Sequence, residues 1–419
     1  MSGAKAGILG FAEALGLVLD HAAGVRVPEP ETVELLASAG RVLAQDVVAD
    51  RDQPPFDRAT RDGFAVRAQQ WSAGERLAIA GQVRAGELWR GERLPDGSAI
   101  EIMTGAAVPR GADAVAMVEH AEQAGGAVWA AAGRSLQSGE NIVTTGSEAR
   151  EGQALLPAGT TVGAAEIALA AACGRSQLRV HKRPTVAIVA TGDELVELDQ
   201  TPAKQQIRNS NSYALAALVA AAGGHPGRLE IARDTRQDVR ERIAQGRMWD
   251  LLLLSGGVSA GKYDLVEEVL AECDAEFFFT GVRMQPGKPV VFGRLPTRQH
   301  HPKGTPEPEC YFFGLPGNPV STQVTFHCFV EPMLRAMCGA GVCGPKFVQA
   351  TLTEGVRGKT GLTRLLPARW TPDLLRPEVR LVAWQGSGDL AANACANCYA
   401  GLPDGQDLRA GDVITVLLR

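Results

Sequence analysis

The strongest constraint on the fold is an alternation of short apolar runs and helical segments between residues 185 and about 329. The first run, Thr185–Ala190, is apolar almost throughout, as expected for a parallel strand buried on both faces. Similar runs at 229–232, 251–254 and 311–315 leave room for a helix after each strand. This pattern predicts a doubly wound α/β domain, whose ligands bind beyond the carboxyl ends of the strands.

Helix boundaries support this interpretation. Asn209 is a candidate N-cap of a helix that Gly223 would end, and a further helix follows Asp234. Asn318, followed by proline, is placed to begin a helix that runs past Phe329.

The chain before this region predicts two other kinds of structure. Residues 6–45 have apolar residues at helical spacing, with Thr32 as the candidate N-cap of a second helix. Residues 47–140 contain short β-like runs separated by glycine and proline, and helical composition returns at 163–172. We therefore expect a helical and β-structured N-terminal region that carries a β-rich insertion.

From residue 346 onward, short strands at 347–352, 381–384 and 413–418 predict a small β-rich C-terminal domain, and 296–309 is expected to be a loop. A chain of 419 residues has room for roughly three domains at about 150 residues each. The predicted fold class is multidomain α/β. The expected domains are 1–46 with 141–180, 47–140, 181–335, and 346–419.

Composition excludes several classes of protein. The net charge of -5 gives no overall basic footprint for nucleic acid. No apolar stretch reaches the ~18 residues needed to span a bilayer, and the N-terminal segment resembles an amphipathic helix more than a signal peptide. Eight cysteines in a long chain fit reduced thiols better than a disulfide framework. We expect a cytoplasmic protein without a membrane anchor.

Acidic and glycine residues follow the predicted strands. Glu194, Asp234 and Asp264 follow three different strands, and carboxylates gathered at one sheet edge can hold Mg²⁺. Gly256 and Gly257, with Gly261 further along the same loop, would let backbone N–H groups surround phosphate oxygens. The alternative for each acidic residue is a helix cap. Together they predict a phosphate site.

Two proline-containing loops add to this prediction. Lys288 lies between two prolines, which is a rigid way to present a cation to an anion. Residues 314–319 join a strand to a helix N-terminus, where free N–H groups favour anions. The alternative is a pair of stiff turns. Neither a Walker loop nor a dinucleotide-binding fingerprint is present.

Six motifs give the sequence a resemblance to a known family. They occur in the order found in the molybdopterin molybdenumtransferases, the MoeA-like family that includes the gephyrin E domain. The motifs are PPFDRATRDGFA (54–65), MTGA (103–106), TGDEL (191–195), SGGVSAGKYD (255–264), PGKP (286–289) and GLPGNP (314–319).

The resemblance implies an activity and an assembly. Family members use Mg²⁺ to insert molybdate into adenylylated molybdopterin, with release of AMP. It also implies an elongated homodimer, with the cleft between the α/β domain of one subunit and the β-rich insertion of the other. A molybdopterin adenylyltransferase is a candidate partner.

The resemblance also implies roles for individual residues. The catalytic candidates are Asp62, Thr104, Glu194, Asp234, Asp264 and Lys288, of which Glu194, Asp234 and Asp264 are the candidate metal ligands. The candidates for substrate binding are Thr191, Gly192, Ser255, Gly256, Gly257, Ser259, Gly261, Pro286, Gly287, Pro316, Gly317, Asn318 and Ser387.

The sequence departs from the family pattern at three places. Asp62 is kept while its neighbours change, and Gln285 occupies a position where many members have a second lysine. The segment 361–367 lacks both family arginines, so Arg364 and Arg369 are the candidates to replace them.

Cys395 and Cys398 have the spacing of a metal-binding pair, although buried free thiols are the simpler expectation.

Two other functions remain open at this level. A non-catalytic scaffold like the gephyrin E domain would not need Asp62, Glu194, Asp264 and Lys288, which favours an enzyme. A nucleotide-handling enzyme that shares only the α/β domain would not need the motifs outside residues 181–335.

Overall fold

The computed structural model describes residues 7–257, 265–296 and 309–419. Three six-stranded sheets organise these residues, together with several two-stranded pairs. The predicted loop at 296–309 and the motif residues Ser259, Gly261 and Asp264 fall almost entirely outside the described residues. The fold class is confirmed: a doubly wound α/β part, a helical and β-structured N-terminal region with a β-rich insertion, and a small β-rich C-terminal part.

The chain begins with the predicted amphipathic helix, but the second predicted helix is wrong. Thr32 lies inside a strand and is the register partner of Arg179, and only a 3₁₀ turn follows, at Leu35–Ser38. Prolines at 28 and 30 disfavour a helix, while Thr32 and Val33 are β-branched and favour a strand. The elements are β1 (Ile8–Leu9), α1 (Phe11–Ala22), β2 (Pro30–Glu34) and β3 (Val47–Val48).

The β-rich insertion contains short strands, as its sequence predicts. Its six-stranded sheet has the order β8-β5-β7-β6-β10-β9. The elements are β4 (Arg58–Ala59), β5 (Gly63–Val66), α2 (Ala68–Ser72), β6 (Leu77–Val83), β7 (Ser98–Ile102), β8 (Ala114–Met117), β9 (Ala121–Ala124), β10 (Ala127–Ala130) and β11 (Ile142–Val143).

After the insertion the chain returns to the N-terminal region. The returning elements are β12 (Ala154–Leu156), α3 (Ala164–Ala172) and β13 (Gln177–His181). β12 pairs with β3 and β13 pairs with β2, so the two segments on either side of the insertion form one unit.

The α/β part has the sheet order β17-β14-β18-β23-β22-β19, with the first four strands parallel. The four leucines of its central strand are fully buried, and each contributes about 1.5–3 kcal/mol of hydrophobic stabilisation. A π-helical turn, Phe326–Val330, joins its last two helices. The elements are β14 (Thr185–Ala190), β15 (Leu195–Val196), β16 (Ile207–Arg208), α4 (Ser210–Ala221), β17 (His225–Arg228), α5 (Arg236–Gly246), β18 (Leu251–Ser255), α6 (Leu265–Glu272), β19 (Glu276–Phe279), β20 (Gly281–Val282), β21 (Met284–Gln285), β22 (Val291–Pro296), β23 (Glu309–Leu315), α7 (Pro319–Thr325) and α8 (Glu331–Met337).

One strand of this sheet is misplaced in the prediction. The apolar run at 229–232 is not a strand; the strand is β17, four residues earlier, and only Ala232 makes an isolated bridge to Thr191. Because β17 is at the edge of the sheet, it tolerates Pro226 and needs no continuous apolar sequence. The apolar pattern therefore did not reveal it.

The C-terminal part is a six-stranded sheet whose additional β25–β27 pairing folds it back on itself. The strand predicted at 381–384 is wrong. The observed strand is Glu378–Leu381, and it ends at the residue where the predicted strand begins. A long strand in the altered 361–367 segment was not predicted. The elements are β24 (Phe347–Leu352), β25 (Thr363–Thr371), β26 (Glu378–Leu381), α9 (Leu390–Cys395), β27 (Cys398–Leu402) and β28 (Val413–Leu418).

Within the described part of the chain, every helix is too short or too polar to cross a bilayer.

Candidate functional site

A cavity of about 1150 Å³ lies at the carboxyl edge of the α/β sheet. It opens where β14, β18 and β23 end and where α4, α5, α6 and α7 begin. Helix N-termini present free N–H groups and a partial positive charge, so this edge is suited to an anionic ligand.

The cavity brings together most of the residues predicted for the α/β domain. Those that line it are Thr191, Gly192, Glu194, Asp234, Ser255, Gly256, Gly257, Pro316, Gly317 and Asn318. The convergence follows from the parallel strands, whose carboxyl ends meet at one edge.

Gly256 and Gly257 make close backbone contacts that side chains would prevent. Both have positive φ, +95° and +66°. A Cβ on Gly256 would lie 2.6 Å from the carbonyl oxygen of Thr191, and one on Gly257 would lie 2.7 Å from the Thr191 hydroxyl. That hydroxyl is buried and has no hydrogen-bond partner among the described residues. A polar ligand in the cavity would satisfy it.

Two asparagines at the start of α4 are additional site residues. Asn209 caps the helix, because its Oδ1 accepts a hydrogen bond from the Ser212 amide at 3.2 Å, as the sequence predicts. Its Nδ2, however, is buried without a partner in the described structure. Asn211 donates to Ser255 Oγ at 3.0 Å and to the Gly317 carbonyl at 2.8 Å, which ties two loops of the site together.

Sequence reasoning assigned Asn209 to capping alone and did not single out Asn211. The dipeptide Asn-Ser following a short β-run gives no signal beyond a helix start. Only the packed structure reveals that both amides belong to the cavity.

Glu194 and Asp234 supply two carboxylates to the cavity wall. Glu194 folds back over Gly192, where a Cβ would collide with its carboxylate. Asp234 and Asp193 contact each other's backbone amides, at 3.3 and 3.2 Å. The described residues include no group of three metal-ligating side chains, and Asp264 lies outside them.

Asp62 and Thr104 form a pair of their own in the β-rich insertion. They are not among the residues that line the cavity. The Asp62 carboxylate accepts hydrogen bonds from the Thr104 backbone N–H at 2.6 Å and from its hydroxyl at 2.8 Å. These two donors lower the pKa of the exposed Asp62 carboxyl. The insertion therefore presents a carboxylate that stays ionised in mildly acidic solution.

The loop that carries Lys288 lies beside the cavity. Pro289 lines it, whereas the Lys288 side chain is exposed and is not part of the lining. Pro286 and Gly287 are buried beneath the lysine. A Cβ on Gly287, which has φ of +106°, would lie 2.5 Å from Thr325.

Gln285, immediately before this loop, is the register partner of Arg364 in the neighbouring parallel strand. The Nε of Arg364 is buried and lacks a partner within the described ranges. Arg369 is exposed further along the same strand, beside Arg380. Of the two candidate replacement arginines, only Arg364 adjoins the Lys288 loop.

Ser387 connects the C-terminal part to the cavity. Asn318 Nδ2 donates to Ser387 Oγ at 2.9 Å, and the Val320 amide donates to the Ser387 carbonyl at 3.0 Å. Asn318 occupies the predicted N-cap position, but its side chain makes this contact and does not cap α7. Gly388 and Leu390 complete the wall.

Among the residues that the structure describes, the cysteines belong to no group that could hold a metal ion. All eight are free, and Cys395 is exposed while Cys398 is buried.

Three parts of the chain match models of known protein families. The family model "Probable molybdopterin binding domain" matches residues 187–336, the region that forms the cavity. Models of the "MoeA N-terminal region (domain I and II)" and the "MoeA C-terminal region (domain IV)" match residues 9–174 and 349–418. The chain therefore belongs to the MoeA family.

Individual relatives agree with this assignment. A Staphylococcus epidermidis protein named molybdopterin molybdenumtransferase is 31% identical over 393 residues, covering 92% of this chain and 90% of its own. A Nostoc protein of the same name is 38% identical over 317 residues, 74% and 70% of the two chains. The crystal structure of a molybdopterin biosynthesis MoeA protein from Pyrococcus horikoshii matches with a TM-score of 0.79 at 28% identity, covering 98% of this chain and all of that one.

Proposed function

We propose that this protein is a molybdopterin molybdenumtransferase, which inserts molybdate into adenylylated molybdopterin and releases AMP. The observation that carries the proposal is the cavity at the sheet edge. It combines helix N-termini, a glycine loop and the carboxylates of Glu194, Asp234 and Glu268, the last paired with Arg236, and it lies in a chain that belongs to the MoeA family over its length. The matches outside the α/β part argue against a nucleotide-handling enzyme that shares only that part.

We assign the phosphates of the substrate to the glycine side of the cavity. The amides around Gly256 and Gly257 and the N-terminus of α7 offer donors to anionic oxygens. The unpartnered Thr191 hydroxyl and Asn209 amide supply two more polar groups for the same substrate. Because Asn211 holds Ser255 and Gly317, it keeps the two loops in register.

Glu194 and Asp234 are the described residues that fit Mg²⁺. This ion is usually bound by one or two carboxylates together with water and substrate phosphates. Both residues stand on the wall of a cavity suited to phosphate. When bound, Mg²⁺ would stabilise the negative charge that develops as the phosphoanhydride breaks. Asp264 is proposed as a third ligand from its place in the sequence.

Molybdate is assigned to the side of the site near Lys288. Lys288 is exposed next to the cavity, Ser387 is held beside Asn318, and Arg364 adjoins Gln285 on the strand before the lysine loop. Arg364 thus supplies a cation near the position where other family members have a second lysine.

Asp62 and Thr104 are proposed to act across a homodimer. They do not line the cavity of their own chain, and their hydrogen-bonded, ionised carboxylate is exposed. An insertion that reaches the partner's cavity would explain both facts. Light scattering on a size-exclusion column should then give a mass near 88 kDa, twice the 44.2 kDa of one chain. A single 44.2 kDa species at micromolar concentration would contradict the composite site.

The domain boundaries 1–46 with 141–180, 47–140, 181–335 and 346–419 remain part of the proposal. Separate buried clusters support this division, since Leu43 packs with Val180 while Phe64 and Val115 belong to other clusters; Ile142, just past the boundary at 140, packs with the insertion. We also propose a cytoplasmic location and a molybdopterin adenylyltransferase as the source of the substrate.

The proposal is tested by incubating the protein with adenylylated molybdopterin, molybdate and Mg²⁺. AMP release and molybdenum in the dithiolene are measured separately, with molybdate omitted as the control. Molybdate-dependent formation of both products is expected. If substrate binds but neither product forms, the chain is a binding protein or scaffold and the proposed activity is wrong.

A further inference from the structure

A second cavity, of about 200 Å³, lies away from the first. It is formed where α4 and α8 end, against residues 40–42 of the N-terminal region and residues 181–183, which lead into the α/β sheet. The large cavity contains the beginnings of α4 and α7, and a π-helical turn joins α7 to α8, so the two cavities lie at opposite ends of these helical segments.

Cationic side chains dominate the wall of this cavity: Arg41, Lys182, Arg183, Arg335 and Lys346. Arg41 pairs with Glu31 at 2.5 Å, and Lys346 pairs with Glu331 at 3.1 Å. Lys182, Arg183 and Arg335 have no ion pair in the part of the chain that the structure describes. Three positive charges are therefore left without a counter-charge.

The surrounding helices do not balance these charges. A helix C-terminus carries a partial negative charge equivalent to about half an electron, so the ends of α4 and α8 together supply about one. Glu331, the acidic residue in the wall, is already shared between Lys346 and His327, the latter at 2.8 Å. The excess of positive charge is thus about two.

Three arginines of the wall act electrostatically on one buried thiol, that of Cys338. Burial raises the pKa of the Cys338 thiol to about 11, while Arg183, Arg41 and Arg335 act in the opposite direction. All three guanidinium groups are thus within electrostatic reach of a single sulfur. Like charges held this close repel one another unless an anion lies between them.

The shape of the cavity is set by close backbone packing. Gly223 and Gly339 have φ of +97° and +90°. A Cβ on Gly339 would lie 2.5 Å from the His181 ring, and one on Gly223 would lie 3.2 Å from Cys338 Sγ. At about 30 Å³ per water molecule, the space holds roughly six or seven waters. A four-oxygen anion with a partial hydration shell fits this volume.

We propose that this cavity binds a small multivalent oxyanion of the phosphate, sulfate or molybdate type. Arg183 and Arg335 are the principal ligands, because guanidinium groups bind tetrahedral oxyanions through paired N–H donors. The anion joins the N-terminal region to the ends of two helices of the α/β part. The inference depends on this cavity alone and not on the proposed transferase activity.

The test is isothermal titration of inorganic phosphate, sulfate and molybdate into the full-length protein at constant ionic strength set with chloride. The wild type is compared with the double variant Arg183→Gln/Arg335→Gln. The matched control is Arg134→Gln, because Arg134 is an exposed arginine that lines neither cavity. The double variant should lose one bound phosphate per chain, or bind it at least roughly tenfold more weakly, while the control behaves as the wild type.

A second variant and a second readout guard against misfolding. Arg183→Lys/Arg335→Lys keeps both charges and should retain measurable binding. Phosphate should also raise the melting temperature of the wild type more than that of the glutamine variant, since it binds the native state. Equal stoichiometry and affinity in the wild type and the folded glutamine variant would overturn the proposal.

The three anions distinguish the source of the ligand. Molybdate bound more than tenfold tighter than phosphate and sulfate would identify a second molybdate site. Similar affinities for all three would identify a general phosphate-type site. Saturation by chloride alone would overturn the proposal, because the cations would then need no multivalent partner.

Discussion

The two cavities lie at opposite ends of α4, and at opposite ends of the segment in which α7 continues through a π-helical turn into α8. The large cavity contains the N-termini of α4 and α7, and its side chains include the carboxylates of Glu194 and Asp234. The small cavity contains the C-termini of α4 and α8, and its side chains are mainly cationic. In each cavity the side-chain charge is opposite in sign to the helix ends around it.

The cavities differ in the charge that remains after the side chains have offset the helix ends. In the large cavity Glu194 and Asp234 lie beside Arg208 and the positive helix ends, so the wall offers groups of both signs to a phosphorylated ligand and its cation. In the small cavity the cations exceed the helix ends, so an anion is needed. The unpaired cations therefore outweigh the helix ends in the small cavity, whereas the wall of the large cavity presents both signs of charge.

The greatest effect on turnover is expected when a carboxylate is removed from the large cavity. Glu194→Gln should lower turnover by about two to three orders of magnitude, because the carboxylate acts where charge develops in the transition state. Binding of adenylylated molybdopterin should change much less. AMP release and substrate binding are measured separately, with Arg134→Gln as the control. Wild-type turnover of Glu194→Gln at saturating Mg²⁺ would reduce Glu194 to a structural residue.

The next test concerns the glycine loop of the large cavity. Gly256→Ala should destabilise the protein by about 1–3 kcal/mol, since it combines a left-handed backbone with a Cβ 2.6 Å from the Thr191 carbonyl. Gly317→Ala is a matched control, because its Cβ meets nothing nearer than 3.6 Å. Urea unfolding of both variants gives the two free energies. Equal stability would mean that the loop around Gly256 can move aside.

A third test asks whether Arg364, beside the large cavity, binds molybdate. Arg364→Ala should raise the molybdate concentration for half-maximal rate by roughly tenfold, the effect of one charge-assisted contact. Arg369→Ala on the same strand should leave it unchanged, because Arg369 is exposed at a distance from the lysine loop. Steady-state rates against molybdate concentration measure both. Identical values for the two variants would remove Arg364 from the site.

The smallest expected effect is at Asp62, outside both cavities. Thr104→Val removes the hydroxyl donor and keeps the backbone donor, so the pKa of Asp62 should rise part of the way to its ordinary value. At a given acidic pH, a smaller fraction of the carboxyl is then ionised. Carboxyl NMR titration of both proteins measures the shift. A fall in the pKa would show that the hydroxyl does not stabilise the carboxylate.

How far the sequence predicts the structure depends on the kind of element. Strands buried on both faces, such as β14 and β18, were correctly located because their composition is almost entirely apolar. The edge strand β17 and the proline-flanked β2 were missed, since pairing with a neighbour determines them more than composition does.

The same division holds for the site. Residues at strand ends, such as Glu194 and Gly256, were predicted because topology brings strand ends together. The role of Asn211 and the pairing of Gln285 with Arg364 were not predicted. They depend on contacts between loops and between sheets that no local pattern encodes. The basic cavity draws its residues from positions 41 to 346, which also explains why no motif revealed it.

The two-residue strand β21 has a mechanical consequence. By sequence it belongs to the α/β part, yet it pairs with β25 of the C-terminal sheet, and the chain continues from it directly into the loop of Lys288. The backbone just before it also receives the N-terminus, since the Arg283 amide donates to the Leu9 carbonyl at 2.8 Å. Rotation of the C-terminal sheet would therefore act on the strand that leads into the Lys288 loop, while the Lys288 carbonyl is held by the Val282 amide at 2.9 Å. The Lys288 loop is thus tied to both the C-terminal sheet and the α/β part, and the position of the lysine depends on how these two parts are oriented.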